Sequence, residues 1–170
     1  MKILNYLKPN LYISNITELN LLKFRERGFN ALLIDLDNTI LPWGEWEVGE
    51  KVKGWIKEAY QLGYKICIIS NASNSRITSI SEILKVPFVN GWPKPWVRLY
   101  YKAFSLLGVT SKTSIIVGDQ LFTDILGGNR CGAFTVLVKP LSKKEFFTTR
   151  LMRIFERIVF SRLKLSLHKE

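Results

Sequence analysis

Histidine is almost missing from this 170-residue chain, since the one present, His168, stands two residues from the end. A Ser-His-Asp triad, a histidine phosphatase and a His-rich metal site are all disfavoured by that shortage. Cysteine is nearly as scarce. Cys67 and Cys131 make no CxxC pair, and neither has an arginine six residues on, because positions 73 and 137 are Ser and Leu. A cysteine-based phosphate loop is therefore absent. Cys67 lies in an apolar run and reads as a core residue, which suits a reducing compartment. There is no GxxxxGK[ST] and no GxGxxG. No apolar run approaches the length of a bilayer span. At the start of the chain Asn5, Lys8, Pro9 and Asn10 interrupt any signal-like stretch. The expectation is a soluble, cytoplasmic protein, with peripheral contact to the inner face of a membrane left open. No internal repeat, low-complexity tract or linker stands out, and the length suits one domain with one core.

Aspartate is the next scarcity, and it is informative. Of 14 acidic residues only four are Asp: Asp35, Asp37, Asp119 and Asp124. They fall in two stretches of the same form, an apolar run that stops at an Asp. One is Ala31-Leu32-Leu33-Ile34-Asp35-Leu36-Asp37-Asn38-Thr39. The other is Ser114-Ile115-Ile116-Val117-Gly118-Asp119, with Asp124 five residues on. Such runs read as buried parallel strands that deliver polar residues to their carboxyl ends, where open α/β sheets place ligands. The plainer alternative is a core strand ending in a polar turn, where Asp and Asn are common. Aspartate used only for turns should be scattered through the loops. Four carboxylates at two strand ends instead suggest a site for a hard cation such as Mg²⁺, which prefers oxygen ligands; Mn²⁺ uses similar ones.

What is abundant is positive charge. The net charge is +11, and from Lys139 onward nine Lys/Arg stand against three Glu, so +6 of it lies in the tail. A basic chain keeps polyanionic company: nucleic acid, an anionic membrane or an acidic substrate.

Periodicity supplies the frame. Residues 1–16 are mixed, with a turn at Pro9-Asn10. Helices are expected over Thr17–Arg27, Val48–Leu62, Arg76–Leu84, Trp96–Leu107 and Thr123 to about Asn129. Strands are expected at Ala31–Ile34, Tyr64–Asn71, Val86–Val89, Ser114–Asp119 and Phe134–Val138, with Pro87 suiting a sheet edge. This alternation predicts an α/β fold: a parallel sheet covered by helices on both faces. Residues 1–140 form this domain. Residues 141–170 hold an amphipathic helix, Lys143–Lys164, in which Phe147, Leu151, Ile154, Phe155, Ile158, Val159 and Leu163 recur at helical spacing while Arg150, Arg153, Arg157 and Lys164 lie largely off that stripe. Either the stripe packs on the domain or the helix lies on an anionic membrane.

The chemistry left open is carboxylate chemistry with a divalent cation. A carboxylate can attack phosphorus once the phosphate charge is neutralised by a cation and a lysine. A second carboxylate must then protonate the leaving oxygen and activate water. Asp35 and Asp37 have the spacing for those two roles, and Asp119 and Asp124 can hold the cation. Ser70-Asn71 offers small donors at a strand end. Lys94 stands between Pro93 and Pro95 on a stiffened loop, although an isolated lysine is more often a surface residue.

In order along the chain, DLDNT at 35–39, ISN at 69–71, Lys94 in WPKP and GDQLFTD at 118–124 resemble motifs I to IV of the haloacid dehalogenase (HAD) superfamily of phosphatases. The resemblance covers about residues 10–140 and implies a Rossmann-like, doubly wound sheet with the five strands in the order 5-4-1-2-3. It also implies roles: Asp35 as nucleophile and Mg²⁺ ligand, and Asp37 as general acid/base with its backbone carbonyl on Mg²⁺. Thr39 would orient the motif, Ser70 and Asn71 would contact the phosphoryl group, Lys94 would neutralise the aspartyl-phosphate, and Asp119 and Asp124 would bind Mg²⁺. DLDNT with GDQLFTDILGGNRCG and the LKPNLYISNITEL lead-in is similar to the YqeG-type, subclass IIIA members. The mitochondrial and plastid phosphatidylglycerophosphate phosphatases are similar to these, which implies hydrolysis of that lipid.

Spacing adds that the site is open. About 30 residues separate Asn38 from Ser70 and about 20 separate Asn71 from Lys94, room for one crossover each and for no cap domain. An uncapped site suits a phosphate carried on something large. Trp43, Trp46, Trp92 and Trp96 flank motifs I and III, either as ordinary packing or as an interfacial rim. The leading expectation is a Mg²⁺-dependent phosphatase acting on an anionic phospholipid. Nucleic-acid ends or small phosphate esters are the alternative substrates, and a non-enzymatic basic RNA- or ribosome-binding module is the alternative class.

Overall fold

The computed structural model describes residues 2–143, 155–156, 158–163 and 165–167. Of the expected tail helix, Phe147, Arg150, Leu151, Arg153, Ile154, Arg157 and Lys164 lie outside the described residues, as does His168.

The chain opens with α1 (Lys2–Tyr6) and β1 (Leu11–Ile13), then a single 3₁₀ turn at Ile16–Glu18 and α2 (Leu21–Glu26). Four β-α units and a last strand follow: β2 (Ala31–Ile34), α3 (Glu50–Gln61), β3 (Lys65–Ile69), α4 (Asn74–Leu84), β4 (Phe88–Val89), α5 (Val97–Leu107), β5 (Ser114–Gly118), α6 (Leu126–Cys131) and β6 (Phe134–Val138). All pairings are parallel, in the order β1-β6-β5-β2-β3-β4. The order expected for the last five strands is the one found, and β1 adds a sixth at the edge beside β6. No separate cap stands between the strands among the described residues.

The strands are buried on both sides because alternate residues feed different layers. Leu32 and Ile34, Ile66 and Ile68, and Ile115 and Val117 face one core with Phe24, Trp55, Ile56, Ile77 and Ile80 from α2, α3 and α4. Leu33, Cys67, Ile69 and Ile116 face the other, with Leu99, Tyr100, Ala103 and Phe104 from α5. A smaller cluster gathers Leu7, Leu121, Ile125, Leu137 and the buried Val159. The helical residues 158–163 thus set Val159 and Phe160 against the domain, while Phe155 and Ile158 are exposed. Among the described residues no helix is long and apolar enough to cross a membrane.

Two elements differ from expectation for local reasons. α2 starts at Leu21 rather than Thr17, because Asn20 caps it, its Oδ1 accepting from Lys23 N at 3.0 Å. The helix expected over 123–129 is instead a π-helical turn, Leu121–Ile125, that runs into α6.

Candidate functional site

Strand β2 ends in a wound turn. Asp35 N still pairs with Val117 O at 2.9 Å, one step beyond the strand. The chain then reverses at Asn38, whose φ of 62° is a left-handed conformation that asparagine tolerates better than most residues. Asn38 N donates to Leu41 O at 2.8 Å, and its Oδ1 accepts from Trp43 N at 3.2 Å. Leu141 N donates to Asn38 O at 3.1 Å, bringing the segment after β6 beside this turn. Thr39 is buried, and its Oγ1 has no partner among the described residues.

The same edge receives Asp119 directly after β5 and Asp124 from the π-turn. Asp35, Asp119 and Asp124 are buried together, with one carboxylate oxygen from each within 4.8 Å of the others. Both oxygens of Asp124 are engaged. Oδ2 accepts from Gln120 N at 3.2 Å and from Thr123 Oγ1 at 3.3 Å, and Oδ1 accepts from Lys94 Nζ at 2.7 Å. Lys94 Nζ also donates to Asp35 Oδ1. The lysine is buried rather than on the surface. Its loop is held by Asn71, whose Oδ1 accepts from Lys94 N at 3.1 Å. Asn71 is therefore placed as a support for Lys94 as well as beside the site. Ser70 is buried at the end of β3, its Oγ accepting from Ala72 N at 3.0 Å.

Electrostatics follow from this crowding. Burial pushes the Asp35 carboxyl up to about 7; Asp124 and Asp37 push the same way, and Lys94 opposes them. Burial would lower the Lys94 ammonium, but the carboxylates of Asp124 and Asp35 outweigh it and hold it above the usual lysine range. Three carboxylates stand together in a site of oxygen donors, and the one ammonium pairs with two of them, Asp35 and Asp124. That excess of negative charge, and the hardness of the donors, fit a divalent cation such as Mg²⁺.

Asp37 stands apart from this cluster. Its carboxylate is paired with Arg76 of α4, an arginine that the motifs do not include. Glu156 is a second such residue: Leu121 N donates to its Oε1 at 2.6 Å, so the tail contacts the π-turn that carries Asp124. An arginine or glutamate on a helix reads as solvated charge, and neither carried a signal in the sequence. Gly118 is a third. A Cβ there would overlap the Asp124 carboxyl group, and a glycine inside an apolar strand run is a legible hint of close approach.

Trp43, Trp46, Trp92 and Trp96 are 39%, 52%, 43% and 60% exposed, on the loops that follow β2 and β4 at this edge. Arg98 stacks on the Trp92 ring at 5.0 Å. Leu141 and Lys139, exposed after β6, complete the surround.

Comparison with known proteins places this geometry. A family model described as HAD-hydrolase-like matches residues 91–140. The probable phosphatase YqeG of Bacillus subtilis (strain 168) is 34% identical over 156 residues, covering 92% of this chain and 91% of its own. Phosphatidylglycerophosphate phosphatase 1, chloroplastic/mitochondrial, of Arabidopsis thaliana is 25% identical over 167 residues, which is 92% of this chain and 48% of that protein. Among solved structures, the HAD-hydrolase YfnB from Bacillus subtilis, bound to magnesium, superposes with a TM-score of 0.51 at 14% identity, covering 77% of this chain and 98% of its own. That likeness bears on the fold alone.

Proposed function

Because this chain belongs to the YqeG-like phosphatases of the HAD superfamily, we propose that it hydrolyses a phosphomonoester carried on an anionic phospholipid, phosphatidylglycerophosphate, through an aspartyl-phosphate on Asp35. The observation that carries the chemistry is the buried set of Asp35, Asp119, Asp124 and Lys94 at the carboxyl edge of an uncapped sheet. The substrate rests on the name of the Arabidopsis relative and on four exposed indoles around the mouth, a side chain favoured at the level of lipid headgroups.

The carboxylates of Asp35, Asp119 and Asp124, with the backbone carbonyl of Asp37, would hold Mg²⁺. When bound, the ion supplies charge neutralisation for the phosphoryl oxygens. Asp35 attacks phosphorus, so that an Asp35–phosphorus bond forms as the ester bond breaks. Asp37 gives its proton to the leaving oxygen. Ser70 donates to a phosphoryl oxygen, and Lys94 balances the charge that Asp35 carries into the intermediate. Thr39 orients the turn that presents both carboxylates. Water then passes its proton to Asp37 and attacks phosphorus. Inorganic phosphate leaves, and Asp35 is restored.

The test is Mg²⁺-dependent phosphate release from phosphatidylglycerophosphate in mixed micelles, beside Asp35→Asn. Glycerol 3-phosphate and a 5′-phosphorylated oligonucleotide serve as competing substrates. Release from the lipid, lost in Asp35→Asn, supports the proposal. Turnover of the other substrates alone keeps the chemistry and removes the lipid. No turnover of any substrate with Mg²⁺ present favours a binding module.

A further inference from the structure

Arg76 is 7% exposed although it sits in the first turn of a surface helix. Its guanidinium is almost fully used. Nη1 pairs with the Asp37 carboxylate. Nε and Nη2 both donate to Glu45 O, at 3.0 and 2.7 Å, and Nη2 also reaches Pro42 O at 3.4 Å. One side chain from the β3–β4 crossover thus fastens the segment from Asp37 to Glu45 at both ends. Trp43 lies within that segment, and Trp46 follows it.

We propose that Arg76 is a positioning residue for the proton transfers of Asp37: it holds the carboxyl group in one orientation and, through Glu45 and Pro42, fixes the loop that walls that side of the mouth. The inference rests on the phosphatase reading given above. Asp37 is the one aspartate of the four outside the buried cluster, and its side chain is 22% exposed. The cluster and Lys94 do not hold it. A carboxylate that must meet the leaving oxygen in one step and a water in the next gains from a fixed rotamer, because small misplacements of a catalytic group cost rate steeply. Arginine suits the task. Its planar fork can bind a carboxylate and carbonyls at once, whereas a lysine offers one point charge on a flexible stem.

A plain structural clamp and a positioning residue differ in what they do to leaving groups. An alkoxide needs a proton as it departs, and 4-nitrophenolate does not. The experiment compares kcat/KM for 4-nitrophenyl phosphate with that for an alkyl phosphomonoester that the wild type turns over. The enzymes are wild type, Arg76→Met, Arg76→Lys, Asp37→Asn and the Asp37→Asn/Arg76→Met double variant, all with Mg²⁺. kcat/KM reports the phosphoryl transfer to Asp35, so slow hydrolysis of the intermediate does not mask the effect.

The expected result is a loss of about 10- to 100-fold on the alkyl ester in Arg76→Met, against a change within about threefold on the aryl ester. Arg76→Lys should recover part of the loss. Asp37→Asn should show the same selectivity, and the double variant should be no worse than Asp37→Asn alone. Equal losses on both esters, a change confined to KM, or additive losses in the double variant would overturn the proposal. Should Arg76→Met not fold, Arg76→Lys carries the same comparison. Hydrolysis of neither ester by the folded wild type would remove the phosphatase reading and this inference with it, an outcome distinct from a wild type that works and a variant without selectivity.

Discussion

Gly118 lies directly beneath the carboxyl group of Asp124: a Cβ built on the glycine would overlap the aspartate's Cγ, Oδ2 and Cβ. The strand backbone and the carboxylate occupy adjoining space with no allowance for a methyl group. Gly118→Ala must therefore move Asp124 out of the cluster. Activity should fall by about 100-fold or more, as for misplaced catalytic groups generally. Overpacking should cost about 1–3 kcal/mol of stability. Phosphate release and urea unfolding measure the two effects separately.

Lys94 is the counter-ion that makes the metal-free cluster tolerable, being paired with both Asp35 and Asp124. Removing one partner of a buried ion pair costs about 3–5 kcal/mol. Lys94→Met should show that loss at pH 8 without Mg²⁺, and show less of it as the pH falls and the carboxylates take up protons. Added Mg²⁺ should recover a larger part of the melting temperature than it does in wild type. An equal response to Mg²⁺ in the two proteins would contradict this account.

The pH dependence of the metal-free protein has a definite sign. Asp35 ionises near the ordinary carboxyl value of 3.8 when unfolded and at about 7 when folded. Between those limits the folded state holds the extra proton, so stability falls as pH rises through this window. Relative to Asp35→Asn, the metal-free wild type should lose ground from about pH 4 to about pH 7 and then level off. Mg²⁺ binding requires the carboxylate, so it should release protons below pH 7 and stabilise the protein more at pH 8 than at pH 6. Thermal melts of both proteins across that range, with and without Mg²⁺, test each part.

Glu156 accepts from Leu121 N at 2.6 Å and is itself buried. Glu156→Ala leaves a buried N–H without its acceptor, at a cost of about 1–3 kcal/mol. Glu156→Gln keeps an oxygen there and should lose less. The π-turn starting at Leu121 carries Asp124, so the alanine variant should also need more Mg²⁺ for half-maximal thermal stabilisation. If it melts earlier but responds to Mg²⁺ as wild type does, the tail supports the fold and not the cluster.

The parts legible in the sequence were those written locally. Five strands announce themselves as apolar runs that stop at polar residues, and the glycines and caps between them mark the crossovers. Asp35, Asp119 and Asp124 stand out because, apart from Asp37, aspartate occurs nowhere else in the chain. What escaped was written in pairs far apart. Strand β1 is three residues long, and Asn10 sets its register by accepting from Thr135 N at 2.8 Å, 125 positions away. Arg76 meets Asp37 across 39 positions. Neither partner advertises the other, and an arginine near a helix start ordinarily reads as a solvated charge. The π-turn escaped for a different reason: Leu121–Ile125 has the composition of an ordinary helix start, and nothing in it marks the wider turn that carries Asp124.

The pairing of β1 with β6 also sets an order of events on the ribosome. Leu11–Ile13 is synthesised well before its partner strand, Phe134–Val138. The strands made between them, β2, β3, β4 and β5, can assemble against one another while the first waits. Of the six described strands β1 is thus made first, yet it can join the sheet only once β6 has emerged, because β6 is the one strand it pairs with.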